Sequence, residues 1–577
     1  MNSLEISRKK FKGLTEQWNP EPIHDLFLRM SDQYKDNPYI IDREQTWTYG
    51  ETKTLAIKFA TALIQLGVKR KDHISIIFPN YPEFIFSKLG SAIAGCVTVP
   101  LNYRLRKDEL GYLIKQSDSS FIITLDYWNN IDYISILQQL CPEVFEGEKS
   151  TEFPNLKKII VYSPEGKKYP GTIDFYELIN SITDEQMNEL IKGFVKESRD
   201  DVSDITDIMY TSGTTSLPKG VLVTHDMIWR SALGTCINRG YQEGRRIFVP
   251  IPFYHCFGYI VGIVGASMVG GSIIIQGDFE EFDALSIIEK YKVQDIICVP
   301  TIGLRLLNAY RNKPRDISSL KSMYCAGSEV PSHIWNGLKD ELGIENLNTG
   351  YGMTEIAAGA LQTDPNDDVS YLIQYVGRPI PGGHVGLKEL NGKNIEFKVI
   401  NIDTGDDQPF GKDGELVCRG PMVTKGYYNK PEETVKTIDH DGWLRTGDLA
   451  VIHENGYISL TGRIKEIYRI GAENVAPKEI EDVFASHSKV NQAYVVGVPH
   501  PVMGEVGMVW LVLEQGVTAT EEEMLGYVSD KLARFKIPKY IKFVTQQELP
   551  VTATGKVQKF KLRDWYINEK EQFKSLF

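Results

Sequence analysis

The sequence predicts an α/β protein: a large N-terminal body of helix-covered, mainly parallel sheets, a small β-rich subdomain, and a small C-terminal α+β domain. Three observations lead there. Up to about residue 330, short apolar runs alternate with amphipathic stretches at the pace of strand–helix–strand units. After about 390, short strands separated by Gly-rich turns take over. After 475, helices and strands alternate again. At 577 residues the chain is also too long for one core, since domains run to roughly 100–200 residues.

Taken in order, residues 50–68 have helical spacing and stop at Gly67. Residues 73–80 read as a buried strand, 83–95 as a helix, 96–102 as a strand, 109–118 as a helix and 120–125 as a strand. The helix–strand unit recurs at 286–300 and 318–330. Ile247 to Gly277 carries no Asp, Glu, Lys or Arg and is long enough to span a bilayer. Pro250, Pro252 and five glycines punctuate it as strand, loop, helix and strand, so a buried α/β unit is expected and no transmembrane segment. The β-rich subdomain is placed at about 385–464, with strands at 414–420 and within 442–463.

Composition is that of a soluble globular protein, with 42% apolar and 24% charged residues. Sixty-four basic against 76 acidic residues leave a net charge of −12, which argues against a broad nucleic-acid binder. Seven cysteines, none spaced C-x-x-C, favour free thiols in a reducing compartment. No apolar secretory run opens the chain, and Ser575-Leu576-Phe577 is not a peroxisomal address, so a cytoplasmic location is expected.

The stretch Tyr210-Thr211-Ser212-Gly213-Thr214-Thr215-Ser216-Leu217-Pro218-Lys219-Gly220 lies between two apolar runs. A loop so rich in hydroxyls, backbone N–H groups and one ammonium suits phosphate oxygens, and it is not a Walker A loop. Further blocks follow: Pro252 to Gly258 with His255; Gly327-Ser328-Glu329-Val330-Pro331; Gly350-Tyr351-Gly352-Met353-Thr354-Glu355; Gly414-Glu415-Leu416; Thr446-Gly447-Asp448; Gly462-Arg463-Ile464-Lys465-Glu466; Gly471-Ala472-Glu473-Asn474; and Pro550 to Lys556 with Thr552 and Gly555.

In this order, from about residue 25 to 565, the blocks resemble the signatures of the adenylate-forming superfamily, which includes acyl- and aryl-CoA synthetases, peptide-synthetase adenylation domains and beetle luciferases. The resemblance implies two sheets in the body (1–464) and a mobile cap (465–577) hinged at Lys465. It implies ATP, Mg2+ and coenzyme A as cofactors or co-substrates. By resemblance, Thr211, Ser212, Gly213, Thr214, Thr215 and Lys219 cradle phosphates, and Glu355 with Thr214 holds the metal. Thr354 bonds the α-phosphate and Tyr351 stacks on adenine, with Gly327, Ser328, Glu329, Gly350, Gly352 and Met353 around it. Asp448 accepts from the ribose hydroxyls, supported by Arg463. Lys556 swings in to the α-phosphate and carboxylate, His255 gates the carboxylate pocket and thiol tunnel, and Gly471 and Ala472 line the pantetheine channel. The family usually carries a second glycine where Ala472 stands.

The chemistry needs these types. Attack of a carboxylate on the α-phosphorus of ATP brings two anions together, so catalysis is largely charge neutralisation and alignment. From Lys531 to Arg563 there are nine basic residues and one acidic residue, Glu548, a tract suited to the phosphates of coenzyme A. The acid is expected to be apolar. No acidic residue lies between Gly258 and Gly277 to hold an amino group, and the candidate walls 259–262, 298–300 and 356–359 are apolar or small. A medium- or long-chain fatty acid is the first expectation, with an aryl, arylalkanoic or short branched acid as the alternative. Two other readings stay open: an acyl-AMP ligase that loads a carrier protein, and a non-enzymatic nucleotide binder, against which the intact Lys219, Glu355, Asp448, Arg463 and Lys556 speak. The oligomeric state is open.

Overall fold

A computed structural model describes residues 3–43, 45–196, 200–211, 217–470, 473–552 and 556–569. The body holds two seven-stranded sheets. The first runs in the order Asn346–Asn348, Ser322–Cys325, Asp295–Cys298, Arg246–Phe248, Ser272–Ile274, Pro38–Ile41, Thr46–Thr48. All its neighbours are parallel except the last pair. The second runs Lys219–Thr224, Ile205–Thr211, Val97–Pro100, His73–Ile77, Phe121–Leu125, Lys158–Tyr162, Ile173–Asp174. It is parallel apart from the hairpin of its first two strands. Central strands such as Phe121–Leu125 are buried along their whole length, which is why they read as unbroken apolar runs.

The sequence signals act through ordinary local physics. Helix Tyr49–Gln65 starts at a capping box, in which the Thr48 hydroxyl accepts from Glu51 N–H and the Glu51 carboxylate accepts from Thr48 N–H. It ends before Gly67, whose φ of 85° only glycine adopts cheaply. The uncharged run 247–277 folds as strand, loop, a wide π-helix Phe257–Val264 and strand, all in the core. No helix among the described residues is long and apolar enough to cross a membrane.

The antiparallel region begins earlier than the sequence texture suggests. Strands Gly350–Met353, Ala358–Gln362 and Arg378–Pro379 form one small sheet, and Glu396–Ile400, Asp413–Arg419, Leu444–Ile452 and Ile458–Arg463 form another. Both feed one core that includes Tyr351, Leu361, Ile395, Leu416, Leu444 and Ile458. The Gly-rich strand at 350 was legible only as a motif because its glycines hide the strand pattern.

Beyond Glu466 the chain forms a separate five-stranded sheet whose central strand Gly504–Leu513 pairs with Tyr468–Ile470, Val490–His500 and Tyr540–Phe543. Helices Pro477–Ala485 and Glu521–Ser529 cover one face through Ile480, Phe484, Met524 and Val528. Helix Lys559–Glu569 covers the other through Leu562 and Tyr566 against Trp510 and Tyr540. Lys465 lies in the single turn Ile464–Glu466 between the two sheet systems. All seven cysteines are free and buried.

Candidate active site

Those predicted residues that the structure describes gather where the two body sheets, the antiparallel subdomain and the cap meet. Thr211 ends one strand of the hairpin and Lys219 begins the next, paired directly with it. Ser212, Gly213, Thr214 and Thr215 lie outside the described residues, as do Gly471 and Ala472. The Lys219 ammonium sits 2.6 Å from Glu433 and 4.8 Å from the centre of the Tyr427 ring. Lys219 holds the half-buried Glu433 carboxyl down at about 2. Any phosphate that Lys219 binds must therefore compete with Glu433.

The stretch 350–358 is locally strained. A Cβ on Gly352 would sit 1.2 Å from the Ala358 carbonyl oxygen, so only glycine permits the crossing. Thr354–Ile356 form one 3-10 turn, after which Ala357 and Ala358 take φ of 55° and 72°. Left-handed alanines cost on the order of 1 kcal/mol each. Ser231 Oγ donates to Ala357 O at 2.6 Å and Thr424 N–H donates to Glu355 O at 2.8 Å, which holds the turn in place. The result is a buried Glu355 carboxylate whose Oε1 accepts from the Tyr427 hydroxyl at 2.9 Å. Burial raises its pKa, and Tyr427 and Lys219 oppose that rise.

Thr354, Cys256 and His255 form a chain across two motifs. Thr354 Oγ1 lies 3.8 Å from Cys256 Sγ, which lies 3.7 Å from His255 Nδ1. The Phe257 N–H also donates to His255 Nδ1, at 3.3 Å. Burial, helped by the Lys556 charge, pushes the imidazole down to about 4, so it is neutral at pH 7. With Nδ1 accepting, the ring proton sits on Nε2. Burial lifts the Cys256 thiol to about 11.

Asp448 is the charge centre of the opposite wall. Its Oδ2 accepts from the Tyr351 hydroxyl at 2.6 Å, and its Oδ1 pairs with Arg463 Nε at 2.9 Å, directly across the strand pair that joins them. Asp448 pulls the Arg463 pKa further up. Each carboxylate oxygen keeps a second lone pair for a ligand hydroxyl. The Gly414-Glu415-Leu416 motif shapes this loop: buried Glu415 accepts from Gly447 N–H at 3.3 Å, and Thr446 Oγ1 donates to Leu416 O at 2.7 Å.

The cap brings Lys556 into the same space. Thr552 N–H donates to Lys556 O at 2.8 Å and Lys556 N–H donates to Thr552 Oγ1 at 3.1 Å, which ties Lys556 to Thr552. Its charge is felt by His255 and Cys256 and in turn feels Arg463 and Asp448. Crowding, then the Arg463 charge, lowers its pKa, although the side chain keeps solvent contact at the cleft mouth, which limits that depression. Among the described residues no carboxylate forms an ion pair with Lys556. An ammonium with no ion-pair partner among the described residues is a candidate anion site.

Gly327 turns with φ of 99°, and Ser328 lies in the same short loop. Glu329 instead pairs with Lys478 of the cap. Three of the nine basic residues of the tract are already paired: Lys536 with Glu479, Lys559 with Glu466 and Glu481, and Arg563 with Glu505. Tyr427, Glu433 and Lys478 are site neighbours that the sequence reading missed, because none lies in a compact motif. A second cluster with ligand chemistry, His24, Asp200 and His225, has Arg70 on Asp200 and the Ile23 N–H on His225 Nδ1.

The family model for AMP-binding enzymes matches residues 27–428, and that for their C-terminal domain matches 479–556. YngI of Bacillus subtilis (strain 168), a proposed acyl-CoA synthetase, is 33% identical over 557 residues, covering 94% of this chain and 97% of that protein. The mitochondrial medium-chain acyl-CoA ligase ACSF2 of Macaca fascicularis is 31% identical over 527 residues, covering 90% and 82%. The ATP-bound crystal structure of MatB from Rhodopseudomonas palustris superimposes with a TM-score of 0.80 at 25% identity, covering 95% of this chain and 99% of that one.

Proposed function

We propose that this chain, which belongs to the AMP-binding enzyme family and is of the acyl-CoA synthetase type, is an AMP-forming acid–thiol ligase working in two half-reactions. In the first, an oxygen of a carboxylate attacks the α-phosphorus of ATP, the bond to the β-phosphate oxygen breaks, and pyrophosphate leaves with an acyl-adenylate formed. In the second, the thiol of coenzyme A attacks the acyl carbon and AMP leaves.

The observation that carries this reading is the Lys556 ammonium, which has no ion-pair partner among the described residues and whose charge acts on neutral His255 beside the Asp448–Arg463 pair. It would neutralise an α-phosphate and the incoming carboxylate together. Asp448 would accept from ribose hydroxyls, and Tyr351, hydrogen-bonded to it, would face the base. Neutral His255, with its proton on Nε2, would donate to the carboxylate without repelling Lys556. The donor set also fits Mg2+: Glu355 is a hard oxygen ligand whose burial makes its own charge costly, so a nearby divalent cation would offset that cost. When bound, the metal would supply charge neutralisation across the phosphate oxygens. Thr214 remains its second proposed ligand.

The proposed acid is a medium- or long-chain fatty acid. The apolar π-helix that follows His255, with no acidic side chain from Gly258 to Gly277, supports an alkyl wall, and relatives named medium-chain acyl-CoA ligases support the class. A carrier-protein thiol is the second reading, favoured by the ion pairing of Lys536, Lys559 and Arg563. ATP–pyrophosphate exchange over a panel of alkanoic, arylalkanoic and aryl acids tests the proposal. Exchange that peaks with alkanoic acids is expected; exchange only with aryl acids overturns the substrate, and none with any acid overturns the reaction.

A further inference from the structure

One ion pair, with a histidine–carboxylate approach beside it, ties the cap to the body at one place. Lys478, the second residue of helix Pro477–Ala485, donates to Glu329 in the body loop before helix Ser332–Asp340. The same ammonium lies 2.6 Å from Asp482, one turn along its own helix. At the start of the body helix, His333 Nε2 stands 3.8 Å from Glu514, just past cap strand Gly504–Leu513. Burial works against the Lys478 charge, and Glu329 and Asp482 more than reverse it. The Lys478 stem also packs beside Gly462, near the end of the last body strand, with a Cβ-to-Cβ approach of about 4.0 Å were that glycine to carry one.

A rigid cap joined to the body by the short turn Ile464–Glu466 needs a further fixed contact to set its orientation. Glu329–Lys478 is such a contact, on the body loop that also carries Gly327 and Ser328. In this arrangement the Lys556 charge acts on His255 and is itself acted on by Arg463 and Asp448. Lys556 serves the joining of carboxylate and phosphate and need not stay in the site while a thiol attacks, so the pair can part between half-reactions.

We propose that the Glu329–Lys478 ion pair is a latch that holds the cap in its adenylate-forming arrangement, which makes Lys478 a positioning residue for the first half-reaction and a restraint on the second. The latch rests on the two-step reading of the reaction. It also gives Glu329 a role other than contact with the nucleotide.

The test uses the full-length protein with K478E, E329K and the K478E/E329K double variant. Each single reversal places like charges together and is expected to lower ATP–pyrophosphate exchange about five- to tenfold, in the usual range of coupling between sites. CoA-dependent release of AMP from synthetic acyl-AMP is expected to hold or rise. The double reversal, which restores opposite charges, is expected to recover exchange. Equal loss of both half-reactions in the single variants, no loss in either, or no recovery in the double variant would each overturn the latch. A raised KM for ATP in E329K alone, without rescue, would return Glu329 to the nucleotide site. A readout independent of activity separates failure of the latch from failure of the two-step reading. Spin labels at Phe410→Cys and Val517→Cys, both exposed positions, report the body–cap distance, and the seven native cysteines are buried. The single reversals are expected to broaden that distance distribution and the double reversal to narrow it; an unchanged distribution refutes the latch even where the enzyme is active.

Discussion

Replacing Lys556 by alanine removes a cation that the cap brings to the site. The side chain has solvent contact and no ion-pair partner among the described residues, so its loss should leave the fold within about 0.5 kcal/mol of the parent. Its worth appears only when two anions meet. A unit charge about 4 Å from a phosphate oxygen at an effective dielectric near 20 contributes about 4 kcal/mol. That corresponds to about a thousandfold in rate if the contact is made in the transition state of phosphoryl attack. Lys556→Ala should therefore lower ATP–pyrophosphate exchange by about three orders of magnitude. Conversion of synthetic acyl-AMP and CoA to thioester should stay within about threefold, because that step no longer joins two anions. Exchange in the variant at the parental rate, or equal loss in both half-reactions, would refute the assignment of Lys556 to adenylate formation.

Three further outcomes follow from the geometry. Glu433→Gln frees Lys219 from its competing carboxylate and should lower the KM for ATP without changing the melting temperature; a raised KM would mean that Glu433 itself helps bind the nucleotide. The imidazoles of His255 and His225 are both depressed, to about 4 and about 3, so they contribute stability that is present above about pH 6.5 and is lost as pH falls toward those values. Scanning calorimetry should show the melting temperature falling from pH 7 to 5, and the first half-reaction should show no histidine limb near 6.5. Gly352→Ala drives a methyl into the Ala358 carbonyl and should cost more than about 3 kcal/mol or misplace Glu355, read as a lower melting temperature together with lost exchange.

The alternation of strands and helices in the body was legible because buried parallel strands must be apolar on both faces, as Phe121–Leu125 is. The onset of the antiparallel region was misplaced because Gly350 and Gly352 are chosen for close backbone approach, not for strand propensity. Within the site, the motif residues Thr354, Glu355, His255, Asp448, Arg463 and Lys556 were legible as types at fixed spacing, and the fold brings them to one cleft. Their partners were not. Tyr427, Glu433 and Cys256 reach Glu355, Lys219 and Thr354 from 72, 214 and 98 positions away in the chain, and nothing local marks such pairs. The basic tract misled in the other direction: sequence counts charges on one segment, whereas Glu466, Glu479, Glu481 and Glu505, which neutralise several of them, lie upstream of it.

The most direct test of acid–thiol ligation is product mass. The protein is incubated with ATP, Mg2+ and a medium- or long-chain fatty acid, with and without coenzyme A. Acyl-AMP and pyrophosphate should appear without the thiol, and acyl-CoA with stoichiometric AMP should appear when it is added. Formation of acyl-AMP with no CoA-dependent release of AMP would contradict the ligase and point to a carrier-protein acceptor, and the absence of acyl-AMP with every acid offered would contradict adenylate formation itself.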